Sequence, residues 1–67
     1  MNLKELRLSK NLTQHEMSEI LTKNGYSIKQ TGYSRIENGK RVPTYDFLKI
    51  LQKSFQDVNI GKMFFDE

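Results

Sequence analysis

A chain of 67 residues, 36% hydrophobic and 10% aromatic, can bury one small core, so residues 1–67 are expected to form a single domain and a multidomain enzyme is excluded. No apolar run approaches the roughly 18 residues needed to cross a bilayer, no signal-peptide pattern opens the chain, and zero cysteines leave neither a disulfide framework nor a thiolate zinc cluster. A soluble cytoplasmic protein is expected. The net charge is +3 but uneven: ten Lys and Arg face five Asp and Glu over residues 1–53, and one faces three over residues 54–67. Within residues 23–41, Lys23, Lys29, Arg35, Lys40 and Arg41 oppose only Glu37, a basic stretch suited to a polyanion.

Five short helices can be read, with no period-2 alternation long enough for a sheet, so the fold class is all-α. Asn2 and Glu5 form a capping pair ahead of Leu3 and Leu6, predicting a first helix over Leu3–Lys10, ended by Asn11. Thr13 and Glu16 form a second capping box. Leu12, just before that cap, is placed to staple onto Met17 of a helix whose apolar stripe is Met17, Ile20 and Leu21. This helix must stop near Thr22 to Asn24, where Asn24 and Gly25 tolerate left-handed backbone. A third helix spans roughly Gln30–Glu37 and ends at Asn38 and Gly39. It is capped either at Ser27, paired with Gln30, or at Lys29, with Ile28 stapled onto Tyr33; the later start is the better fit. Pro43 blocks any continuing helix, and Thr44 caps a fourth one with Phe47, Leu48, Leu51 and Phe55 inside. Val58, Asn59 and Met63 repeat the staple pattern for a fifth helix over Ile60–Phe65.

The residues offer no catalytic chemistry. His15 is the one histidine, a metal site would rest on carboxylates alone, and Gly25, Gly32, Gly39 and Gly61 are too scattered for a phosphate cradle. No catalytic residue, metal, cofactor or small-molecule ligand is expected.

What remains is a pair of helices joined across Thr22 to Lys29 inside the basic stretch. A helix-turn-helix lays its second helix in the major groove, where side chains read base edges and flanking cations hold phosphates. On the Gln30–Glu37 helix, Tyr33, Ile36 and Glu37 share one face and Gln30, Thr31, Ser34 and Arg35 the other. Glutamine can pair with adenine, arginine with guanine, and threonine can touch a thymine methyl.

The runs LTQHEMSEIL, YSRIENGKRVP and YDFLKILQKSF resemble the Cro and lambda-repressor-type (XRE-like) helix-turn-helix family over nearly the whole chain. Thr13 and Gln14 match its Thr-Gln, Ile36 to Gly39 its Ile-Glu-Asn-Gly, and Pro43 the proline before helix four. The resemblance implies a compact five-helix lambda-repressor-like domain. It implies that Gln14, Gln30, Thr31 and Arg35 meet bases or adjacent phosphates, and that Thr13, Asn38, Lys40 and Arg41 serve backbone phosphates. It also places Arg7 opposite Glu37 as a buried ion pair, which agrees with the cost of stranding a carboxylate on the core side.

Three departures from the family pattern stand out. The turn is longer by Thr22 to Tyr26, Ser18 replaces a small alanine, and Gly32 in the third helix implies either a close backbone approach or simple tolerance, of which tolerance is expected. His15, beside Gln14, is expected to be solvated. The function implied is that of a Cro-like phage, mobile-element or restriction-control repressor, binding a palindromic double-stranded operator as a homodimer in the cytoplasm on the nucleoid. The alternative is an antitoxin or antirepressor-type protein-binding module on the same fold. Met63, Phe64 and Phe65 are consecutive, so a short helix cannot turn all three inward. Phe64 or Phe65, with neighbours near Ile60, is the expected dimer contact, at an end whose local acidity points away from DNA.

Overall fold

A computed structural model describes residues 2–65, the side chain of Phe65 excepted. Five helices follow in order: α1 (Leu3–Ser9), α2 (Gln14–Lys23), α3 (Gln30–Glu37), α4 (Tyr45–Ser54) and α5 (Ile60–Phe65), with no strand among the described residues. Four of the five starts are capped by a side chain within three residues. Asn2 with Glu5 and Thr13 with Glu16 form complete capping boxes, in which the cap oxygen accepts the third backbone N–H and the glutamate accepts the cap's own. Thr44 Oγ1 accepts from Phe47 N at 3.1 Å, and Asn59 Oδ1 from Lys62 N at 2.9 Å.

The end of α1 falls one residue short of the sequence expectation, and the start of α3 agrees with the later of the two expected starts. Helix α1 stops at Ser9, with Lys10 as its C-cap, because Asn11 swings to φ 57° and the Leu12 N–H turns back onto the Arg7 carbonyl at 3.1 Å. Helix α3 starts after Lys29, and Ser27 does not cap it; Lys29 brings no side-chain hydrogen bond of its own. Phe55 lies one residue past α4 as its C-cap and is still buried.

The core gathers Leu3 and Leu6 of α1, Met17 and Leu21 of α2, Tyr33 and Ile36 of α3, Phe47 and Leu51 of α4, then Phe55 and Ile60. Leu12, Ile28 and Val58, each just ahead of a cap, pack against it partly buried, as hydrophobic staples do. Helix α2 packs on α3 and α4, and α5 on α4.

The longer α2–α3 connection is closed rather than open. Thr22 and Lys23 continue α2, and Gly25 takes φ 112°, a conformation glycine adopts without steric cost. The Thr22 hydroxyl bonds both the N–H and the carbonyl of Ile28 at 3.2 Å. Asn24 Nδ2 donates to Ser54 Oγ of α4 at 2.9 Å, and the Tyr26 ring stands edge-on to Phe47, centroids 5.6 Å apart. The extra residues thereby lock onto α4 and leave α2 and α3 in contact. At the other end Lys10 pairs with Asp57, tying the end of α1 to the α4–α5 loop. No helix among the described residues is long and apolar enough to cross a membrane.

Candidate nucleic-acid interface

Helix α3 divides as its periodicity requires. Tyr33 and Ile36 are buried, while Gln30, Thr31 and Arg35 are exposed and Ser34 is half-buried. The chain after α3 folds back on its end. Gly39, at φ 76°, donates its N–H to the Ile36 carbonyl at 3.2 Å, and the backbone N–H groups of Lys40 and Arg41 both reach the Arg35 carbonyl, at 2.8 and 3.2 Å. That leaves the Lys40 and Arg41 side chains exposed beside α3. Asn38, the C-cap, is exposed and donates Nδ2 to Ser34 Oγ at 3.3 Å. Thr13, also exposed, uses its hydroxyl as the cap of α2.

At Gly32 the structure has a close approach, the less expected of the two alternatives. A β-carbon there would stand 3.2 Å from Ile28 Cγ1 and 3.6 Å from Arg41 Nη1. The first is tighter than an ordinary contact, so Ile28 would have to shift by a few tenths of an ångström, whereas the second is an ordinary contact with Arg41. A groove between α2 and the start of α3, lined by His15, Glu19, Lys23, Ile28, Lys29 and Gln30 among others, brings two lysines of the longer connection next to the first residue of α3. Among the described residues no carboxylate pairs with Lys23, Lys29, Arg35, Lys40 or Arg41. His15 Nε2 stands 3.5 Å from Glu19 Oε2, both exposed. No group of three His, Cys, Asp or Glu that could hold a metal occurs among the described residues.

Behind α3 lies a polar cluster. Arg7 Nε donates to Glu37 Oε2 at 2.9 Å and Nη2 to Glu37 Oε1 at 3.0 Å, with side chains 11% and 2% exposed, and Arg7 Nη1 reaches the Leu12 carbonyl at 2.9 Å. Gln14 belongs to the same cluster: its Nε2 donates to Glu37 Oε1 at 3.1 Å, so part of an amide assigned from the resemblance to DNA is engaged inside the protein. Burial alone would raise the Glu37 pKa. Hydrogen bonds from Arg7 and Gln14, with the Tyr33 hydroxyl nearby, outweigh it and hold the carboxyl below its ordinary value. The hydrogen bond to Glu37 in turn raises Arg7 above its ordinary range. The buried Tyr33 hydroxyl completes no well-formed hydrogen bond among the described residues but lies beside the Glu37 carboxylate, and burial, followed by this polar contact and the Glu37 charge, pushes its pKa far up.

The dimer contact expected at the C-terminal end is only partly available. Ile60 is 2% exposed and packs inside the domain, because its position at the start of α5 faces α4; Met63 and Phe64 are half-buried against the core, and the Phe65 side chain lies outside the described residues. Two side chains that the sequence reading did not assign are Val42 and Tyr45, 83% and 77% exposed on either side of Pro43 and Thr44, next to Lys40 and Arg41. Their signal was positional: both fall off the Phe47, Leu48 and Leu51 stripe.

Two adjacent helices, the second presenting a polar face beside cations that no described carboxylate pairs, define a helix-turn-helix DNA-binding domain. A helix-turn-helix family model matches residues 3–62, and the chain belongs to that family, the Cro-type, XRE-like helix-turn-helix regulators that bind DNA. No curated protein and no solved structure matches the chain.

Proposed function

We propose that the protein is a sequence-specific transcriptional regulator, a Cro-like repressor of phage, mobile-element or restriction-control type. In this reading it binds a palindromic operator as a homodimer, with α3 in the major groove, in the cytoplasm on the nucleoid. The observation that carries it is the exposed face of Gln30, Thr31 and Arg35, backed by buried Tyr33 and Ile36 and flanked by Lys40 and Arg41, which pair with no carboxylate among the described residues. Gln30 offers a planar donor–acceptor pair for adenine, Arg35 a planar pair of donors for guanine, and Thr31 a methyl for thymine. Lys40, Arg41, Asn38 and Thr13 serve phosphates, with Ser34 held beside them by Asn38. One recognition helix reads only a few base pairs, so two half-sites about one helical turn apart supply the specificity. Phe64 and Phe65 are the proposed contributors to the dimer contact, near the buried Ile60.

Duplexes selected by the protein from a random pool, then titrated at several salt concentrations, test this. Preference for one palindromic site with steeply falling affinity as salt rises is expected. Equal affinity for all duplexes, or a flat salt dependence, overturns it.

A further inference from the structure

Gln14 opens α2 and is half-buried, and its amide nitrogen donates to Glu37 Oε1 at 3.1 Å. Glu37 closes α3; it is locked by two hydrogen bonds from Arg7 and kept ionised by them. An ionised carboxylate accepts and cannot donate. Of the two orientations open to a glutamine amide, only the one with nitrogen inward satisfies Glu37, which leaves the second N–H and the carbonyl oxygen of Gln14 for another partner. A glutamine with no such partner keeps its rotamers and its amide flip, and loses that freedom only on binding.

We propose that Glu37 is a positioning residue for DNA recognition: by holding the Gln14 amide nitrogen, it presents the remaining N–H and the carbonyl oxygen of Gln14 to the duplex in one fixed orientation. The N–H is a donor for a phosphodiester oxygen and the carbonyl an acceptor for a base amino group. Arg7 acts one step further back, since it fixes the carboxylate that fixes Gln14. The inference rests on the DNA-binding reading, and it makes the fold-holding pair also a determinant of affinity.

The test is a double-mutant cycle on the selected operator with Gln14→Ala, Glu37→Gln and the two together, each checked for helical circular dichroism. Gln14→Ala and Glu37→Gln should each weaken binding on the order of tenfold. The double variant should be no weaker than Gln14→Ala alone, because Glu37 acts through Gln14. Losses that multiply in the double variant overturn the proposal, as a merely structural Glu37 would give them.

A second measurement needs no DNA and no variant. In side-chain amide NMR, Gln14 should exchange its amide protons with solvent more slowly than the exposed Gln56; equal exchange overturns the proposal. If no duplex is bound specifically by the parent protein, it is the DNA-binding reading that fails, while slow Gln14 exchange would still establish the restraint.

Discussion

Arg7 and Glu37 stand thirty residues apart and meet through two parallel charge-assisted hydrogen bonds, at 2.9 and 3.0 Å. The remaining guanidinium nitrogen takes the Leu12 carbonyl, and the carboxylate also takes Gln14. One ion pair thus joins α1, the α1–α2 turn, the start of α2 and the end of α3. Arg7→Met strands a carboxylate that is 2% exposed, and should lower unfolding free energy by about 3 kcal/mol, the lower end for a buried pair because Arg7 keeps some contact with water. Replacing both residues by apolar ones should be milder. Chemical denaturation of the single and double variants measures the difference, and a loss under about 1 kcal/mol for Arg7→Met would show the pair to be screened as surface pairs are.

Stability should fall at both ends of the pH range, for two different residues. Glu37 titrates below its ordinary value of 4.5 in the folded protein, so its contribution is complete above that value and disappears as pH falls through the depressed folded one. Tyr33 titrates above its ordinary value of 10.0, so folding keeps a proton that the unfolded chain releases, and stability drops as pH rises past 10.0. Melting temperature against pH should show both limbs, with Glu37→Gln flattening the acid limb and Tyr33→Phe the alkaline one.

Tyr33→Phe should otherwise be close to neutral, or stabilising by up to about 1 kcal/mol at neutral pH. The hydroxyl is buried and completes no well-formed hydrogen bond among the described residues, so removing it deletes a desolvation cost that offsets the loss of its contact with Glu37. A loss beyond about 1.5 kcal/mol in thermal unfolding would mean that the hydroxyl is bonded within the cluster.

Gln52 holds α5 in place. Its Nε2 donates to the carbonyls of Phe55 and Val58 at 3.1 and 2.7 Å, and its Oε1 accepts from Ile60 N at 3.0 Å. Gln52→Leu removes all three hydrogen bonds, leaving the Val58 carbonyl and the Ile60 N–H without this partner while the Phe55 carbonyl keeps the Val58 N–H at 3.3 Å, and should cost about 1–3 kcal/mol. Amide hydrogen exchange should show α5 losing protection before α2 and α3 do; uniform loss across the chain would contradict a local clamp.

Readout and positioning should separate on DNA. Arg35→Ala should cost on the order of 1–3 kcal/mol on the preferred site and relax base preference locally, whereas Lys40→Ala should weaken all sequences alike and reduce the salt slope by about one. Competition binding with single-base operator variants distinguishes the two. If Arg35→Ala changes neither affinity nor preference, the exposed face of α3 is not the reading face.

The helix starts were legible because a cap is a relation within four residues: Asn2 with Glu5 and Thr13 with Glu16 need nothing distant to form. The apolar stripes of α2 and α4, the stop at Gly39 and the basic stretch around α3 are equally local, and the family motifs are runs of contiguous residues. Tertiary structure alone decided what depends on two elements arriving at one place. Gln14 turned out to be held by Glu37, Gly32 to lie under Ile28 and Arg41, and Ile60 to point inward. The Tyr33 hydroxyl was left without a well-formed hydrogen bond among the described residues, and the longer turn was fastened to α4 through Asn24 and Tyr26. Periodicity assigns a side chain to a face but not to a partner. Hydrogen-bond geometry and close packing are settled within tenths of an ångström by how helices far apart in sequence approach one another.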